Sequence, residues 1–473
     1  MVFTSLHFVA FFVVVYALYR VLPHRAQNVM LLVASYYFYA AWDWRFLSLL
    51  IGSTVVDFLV GRYLGGEHSA SKRRRALVVS LIYNLGVLAI FKYFNFFEQS
   101  LISLAGWFGW KLDGVTLNVV LPIGISFYTF MTVSYVIDVY RREIKPTTHL
   151  LDFALFVAYF PHLVAGPILR ASLLLPQIEK PRTISVAQSN EGLWLIGWGC
   201  FQKMFLADNL APLVESVFTP GAAPGGLDVV LAVYAFALQI YGDFAGYSNI
   251  ARGVSKLLGI ELNINFLFPF FSTSIQAYWR AWHISLSTWL RDYLYIPLGG
   301  SRGGELKTYR NLLFTMTLGG LWHGAAWTTV LWGTYQGVCL VAGRIIGVKH
   351  PESGESLSSL GWRRLLPAFG MFQVWCLGLL LFRSSSLAHF AQLSRTVVTD
   401  FAPTAETWVS LALPMLQILT PFLIVHFYQA RRGSEMAPMQ LPLVVRYALY
   451  GALFWLVLLF GSFQGAQFIY FQF

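Results

Sequence analysis

The chain has 473 residues, 57% hydrophobic and 12% charged, about half the charge of an ordinary soluble domain, which excludes a string of water-soluble domains. Its net charge of +11 comes from 33 Lys and Arg against 22 Asp and Glu. The cations fall mostly in short loops between apolar runs, where they orient a chain in a bilayer, and no basic stripe marks a nucleic-acid surface.

A hydrocarbon core about 30 Å thick asks for about 20 apolar residues per crossing. Runs of that character are 4–22, 27–42, 45–61, 76–94, 117–140, 191–208, 227–248, 364–382, 407–428 and 443–462. The first, Leu6 to Leu18 at its core, has no preceding cation and no small-residue cleavage site after it, so it reads as a retained helix. Arg20 and Arg25, then Lys72 to Arg75, then Arg141 and Arg142, and finally Arg431 and Arg432 flank these runs. Placing all of them in the cytoplasm leaves both termini on the outer face.

Two runs are irregular. Residues 151–169 carry Pro161, His162, Gly166 and Pro167, and residues 311–343 are too long for one span and are broken by Gly319, Gly320 and Gly324. Irregular backbone at membrane depth needs protein or a water-filled cavity around it, so both are expected to be re-entrant or broken segments beside an internal site. The segment 272–298 is too polar to face lipid and reads as an amphipathic helix at the interface or along a cavity. The whole chain is one membrane domain, 1–473, with its motif-rich core at about 117–343.

Cys200, Cys339 and Cys376 lie far apart in apolar runs without metal-type spacing, so they read as inert thiols and no metal site is expected. Of ten histidines, three are embedded among Gly, Pro or aromatic neighbours in apolar segments. His323 stands in Leu318-Gly-Gly-Leu-Trp-His-Gly-Ala-Ala-Trp327, next to Trp322. An ionisable group in a membrane segment is costly and points to function, and the glycines let the backbone bend and a substrate approach. On a helix His283 would share a face with Ser287 and with Arg280, a cation suited to an anionic or carbonyl-bearing substrate. His162, between Pro161 and Gly166, reads as part of a turn. Asp243 and Asn249 are polar groups at the end of a span and read as cavity lining first and catalysis second. There is no nucleophile elbow, P-loop, zinc-protease motif or dinucleotide fingerprint. Intramembrane histidines without a metal set fit general-base chemistry on a hydroxyl. A transporter with a His323, Asp243 and Arg280 relay, or a non-catalytic membrane scaffold, fits the same residues.

The stretches LPIGISFYTF (121–130), FPHLVAGPILR (160–170), YWRAWHISLSTWLRDYLYIPLGG (278–300) and YRNLLFTMTLGGLWHGAAWTTVLWGTYQG (309–337) resemble the membrane-bound O-acyltransferase family. Within it the resemblance is to the alginate O-acetylation membrane subunit, with cellulose-acetylating members close by. The family pattern is left at Gly242, Ala245 and Asn249. The resemblance implies an all-α polytopic fold of about 11–12 transmembrane helices with re-entrant and interfacial helices around a tunnel. It implies catalysis by His323 and His283, with Arg280, Trp322, Asp243, Tyr247, Ser287 and Asn311 toward the substrates. No bound cofactor is implied, and acetyl-CoA or another acetyl thioester would be the donor. The partners implied are periplasmic acetyl-accepting proteins, a polysaccharide synthesis and secretion complex and membrane lipid, in a bacterial inner membrane.

Overall fold

The computed structural model describes all residues except 118, 165, 348–363, 464–467 and 469–473. Its regular elements are helices, with no strand among the described residues. Among the described residues six helical stretches are long and apolar enough to cross a membrane: His24–Leu64, Ala70–Trp107, Gly226–Leu257, Leu365–Arg383, Thr407–Arg432 and Leu443–Phe460. The last leaves Val444, Phe454 and Leu459 largely exposed, a surface that suits lipid and not water. The all-α polytopic reading is thus correct.

The described residues form two compact units, Met1–Gln188 with Val254–Leu262, and Ser189–Gly253 with Asn263–Phe473. In the first unit, helix Leu6–Val21 turns through Pro23 into His24–Asp43, and a short 3-10 turn leads into Leu47–Leu64. Ala70–Leu88 continues through a π-helical turn into Phe94–Trp107, so the run expected to end near residue 94 is longer. Conversely, the run expected from 117 becomes helical only at Ile125–Arg141, because Gly124 takes a left-handed φ of 75° at its start. Arg73 is buried and donates to the carbonyls of Leu64 and, at 2.8 Å, Tyr140. Three helix ends of this unit therefore lie together around one guanidinium. At an adjoining end, Asp152 is fully buried and accepts from Arg25 at 2.9 Å and Asn28 at 3.0 Å.

The irregularity expected in 151–169 is present. Helix Leu150–Ala158 stops at Tyr159, and a single turn, Phe160–Leu163, follows. His162 Nε2 meets the Phe156 carbonyl at 3.1 Å, and a Cβ on Gly166 would strike the His162 Cα at 2.3 Å. The imidazole closes a turn that the glycine permits.

The second unit is organised by the long helix Gly226–Leu257. Its Gly242, Gly246 and Gly253 face the stretch that runs from helix Val186–Cys200 into the π-helical Phe201–Ala207. A Cβ on these glycines would lie 2.9, 2.8 and 2.5 Å from the carbonyls of Gln202, Gly199 and Gly192. No side chain fits there, so the two backbones pack directly.

The run 311–343 is a helical hairpin, Glu305–His323 and Trp327–Ile345. Its break falls at Gly324 to Ala326 and not at Gly319 or Gly320, which stay helical. Gly320 serves packing instead: its Cβ would meet the Thr329 carbonyl at 2.3 Å and the Gly333 Cα at 2.8 Å. Gly320→Val should therefore overpack the hairpin by about 1–3 kcal/mol, whereas Gly370→Ala, inside a helix where nothing stands within 4 Å, should stabilise by up to about 1 kcal/mol. Thermal unfolding in detergent reads this contrast, and equal melting of the two variants would contradict it.

Candidate active site

The segment 272–298 is not one helix. Ser274 caps Ile275–Ala281, and the chain then breaks at Trp282 and His283 before Ile284–Leu290 and a π-helical turn. His283 holds φ 43° and ψ 53°, a left-handed conformation unusual for a side chain with a Cβ. Such a residue costs on the order of 1–3 kcal/mol and persists only where its surroundings impose it. Asn265 imposes it here. Its carbonyl accepts from Ile284 N at 2.9 Å, and its Oδ1 accepts from Ser285 N at 3.3 Å and Ser285 Oγ at 2.9 Å. Its own amide donates to Ser248 Oγ on the long helix at 3.3 Å.

The break corrects the reading of Arg280, His283 and Ser287 as one helical face. Arg280 is exposed at the end of the first short helix, whereas His283 is fully buried. Ser287 donates its hydroxyl to the Trp282 carbonyl at 3.1 Å, so it closes the bend. Asn311 also bonds within the protein, donating to the Gly300 carbonyl at 3.0 Å. It stands about 18 Å of helical rise from His323.

His323 is the last residue of its helix and is buried. Thr329 Oγ1 reaches the Gly324 and Ala326 carbonyls at 2.6 and 2.8 Å, satisfying backbone that the break would orphan. A Cβ on Gly324 would lie 3.0 Å from the Thr329 side chain, so a small residue is needed for that reach.

These two breaks bring His283 and His323 together, with ring centroids 6.3 Å apart. Trp322 lies 5.9 Å from His283 and 5.0 Å from His323. Phe244 meets His283 edge-on at 4.6 Å, and Trp332 meets His323 edge-on at 5.2 Å. The pair thus sits in an aromatic, water-poor enclosure. His283 lies outside the six apolar stretches, and burial, then the neighbouring His323 imidazole, holds its pKa well below the usual histidine range. Its neutral form is therefore the stable one. Tyr247 stands one turn from Asp243 on the long helix and packs its ring on Phe468 at 5.0 Å.

Asp243 faces another way. It pairs at 2.7 Å with Lys203, which also meets Asp208 at 2.7 Å, and all three side chains are buried. Beside them Asn249 donates to Gln202 Oε1 at 2.8 Å and accepts from Arg252, which pairs with Glu435 at 2.7 Å. A carboxylate at 249 could not make that donation. Sequence reasoning missed Lys203, although a lysine inside an apolar run was a signal of a buried partner. It also missed Asn265, which lies in a short stretch of alternating polar and apolar residues, Glu261 to Phe266, that gave no such sign. Among the described residues no group of three or more His, Cys, Asp or Glu is arranged to hold a metal ion.

The membrane-bound O-acyltransferase family profile matches residues 87–350, more than half of the chain and including both histidines. The chain belongs to this family. It is 44% identical over 364 residues to the probable alginate O-acetylase AlgI of Pseudomonas aeruginosa, covering 76% of this chain and 69% of that protein. It is 35% identical over 368 residues to the peptidoglycan O-acetyltransferase of Helicobacter pylori, covering 71% of this chain and 69% of that one. A teichoic acid D-alanyltransferase of Bacillus subtilis is 27% identical over 285 residues, 58% of this chain and 71% of its own. This protein is therefore a membrane O-acyltransferase, and the transporter and scaffold readings fall away.

Asn265→Ala removes the acceptor for Ser285 and should release the His283 corner, at a stability cost of about 1–3 kcal/mol. Acyl transfer per folded molecule is expected to fall at least about tenfold although both histidines remain. Asn265→Asp, which keeps the acceptor, should recover part of it. Wild-type turnover in a folded Asn265→Ala would contradict this role.

Proposed function

We propose that this O-acyltransferase acetylates an exported polysaccharide, taking acetyl from a cytosolic thioester such as acetyl-CoA and handing it to an acceptor hydroxyl on the outer face. The observation that carries the reading is the buried His283 and His323 pair, supported by relatives named for alginate and peptidoglycan O-acetylation. His323 acts as general base, drawing the proton from the acceptor hydroxyl as its oxygen attacks the acetyl carbonyl carbon. The carbon–sulfur bond then breaks, and the proton on His323 passes to the departing thiolate. His283 stays neutral and orients the donor. Arg280, exposed at the end of its helix, serves as an entry contact for the anionic part of the donor and not as a partner of His283. The acceptor hydroxyl belongs to a periplasmic acetyl-carrying protein or to the sugar, within a polysaccharide synthesis and secretion complex.

His323→Ala should lower transfer to about a hundredth of the wild-type rate or less, since general-base catalysis contributes about 10²–10⁴-fold. His283→Ala should be milder and act more on the apparent donor requirement than on the maximal rate. His162→Ala should act through stability, because its imidazole holds the Phe156 carbonyl. Rates normalised to folded protein test the order 323, 283, 162. Near-normal turnover in His323→Ala, or a folded but inactive His162→Ala, would overturn the assignment.

The orientation that goes with this function places the protein in the inner membrane with both termini periplasmic and the Lys72 to Arg75 cluster cytoplasmic. Arg73 is buried but Lys72 is exposed, so a single cysteine at Lys72→Cys on a cysteine-free background is the proper probe. It should react with an impermeant maleimide only in opened cells. Labelling of intact cells would reverse the topology.

A further inference from the structure

In the second unit, helices Val186–Cys200 and Leu443–Phe460 run parallel, and a groove of about 590 Å³ opens between them. Trp194 stacks on Tyr450 at 5.2 Å in its floor. The groove is polar at one end only. Asn190 and Arg446, each in the first two turns of its helix, line that end, while Gly197, Cys200, Leu453 and Val457 line the rest. Arg446 Nη1 donates to the Met439 carbonyl at 2.9 Å and its guanidinium lies 5.4 Å from the Tyr447 ring. Neither contact neutralises its charge. Exposed Arg431 and Arg432 close the preceding helix, eleven residues before Leu443 begins the next, and so add positive charge at the same end. Glu435, the acid in the intervening loop, is already paired with Arg252.

We propose that this groove binds one anionic membrane phospholipid, its headgroup phosphate at Arg446 and Asn190 and an acyl chain along Gly197 and Leu453. The charge is at the end of a membrane-crossing helix, where headgroups lie, and the apolar trough follows the helix inward from Arg446 to Val457, about 16 Å of helical rise or half of the hydrocarbon core. The helix surface around the groove already faces lipid, so a lipid reaches it by lateral diffusion. Gly197 keeps the trough open, since no atom stands within 4 Å of where its Cβ would be. This binding is independent of the acyl-transfer reading.

The test uses the purified full-length protein equilibrated with equal phosphatidylglycerol and phosphatidylcholine of matched chains, with retained lipid read by native mass spectrometry. The wild type should retain phosphatidylglycerol about tenfold over phosphatidylcholine, as a charge-assisted contact allows. Arg446→Gln should bring the two to parity and Arg446→Lys should keep the preference. Gly197→Leu, which fills open space, should lower retention of both. Equal retention of the two lipids by the wild type overturns the headgroup assignment. Unchanged retention in folded Arg446→Gln and Gly197→Leu overturns the site, leaving unselective lipid only. A peptide mass in place of lipid overturns the occupant.

Discussion

Backbone that leaves a helix inside an apolar interior must find partners for its amides and carbonyls, because no water is there to replace them. The site of this protein is built on two such departures. At one, Asn265 takes the amides and hydroxyl that follow His283. At the other, Thr329 takes the carbonyls that follow His323. Each departure falls at a histidine, His283 before a helix and His323 at the end of one, and each is held by hydrogen bonds from another residue of the same unit. The imidazoles meet because the breaks are held, and not because the histidines attract each other.

The polar groups of the second unit divide between two faces of one helix. Phe244 and Ser248, one turn apart, serve the histidine corner. Asp243, Gly242, Gly246 and Asn249 face the glycine-contacted stretch and its lysine. A buried cation between two carboxylates is costly to break, because removing one member leaves the rest uncompensated. The triad therefore locks the helix in rotation, and with it the approach of Phe244 to His283.

Most of the helical architecture was legible in the sequence, since long apolar runs in a charge-poor chain leave few alternatives. His323 was also legible, as an ionisable group among glycines in an apolar run. The limits came where tertiary contacts override local pattern. Helical spacing placed Arg280, His283 and Ser287 on one face, but a left-handed residue separates them, and only Asn265, distant on the chain, makes that conformation stable. Gly319 and Gly320 looked like a break, yet Gly320 is needed for backbone contact with Gly333. The sequence distinguishes a glycine that bends a helix from one that lets helices touch only through its partner. Lys203 could be read as buried, but its two aspartates could not be chosen from the sequence.

In the proposed reaction the enclosed histidine pair passes acetyl from a thioester on one face of the membrane to a hydroxyl on the other. The most direct measurement reconstitutes the protein in sealed vesicles with labelled acetyl-CoA on one side and the hydroxyl acceptor on the opposite side. Label is expected on the acceptor across the bilayer, dependent on His323, with free coenzyme A released on the donor side. Label that appears only when donor and acceptor share a compartment, or that crosses equally well without His323, would contradict it.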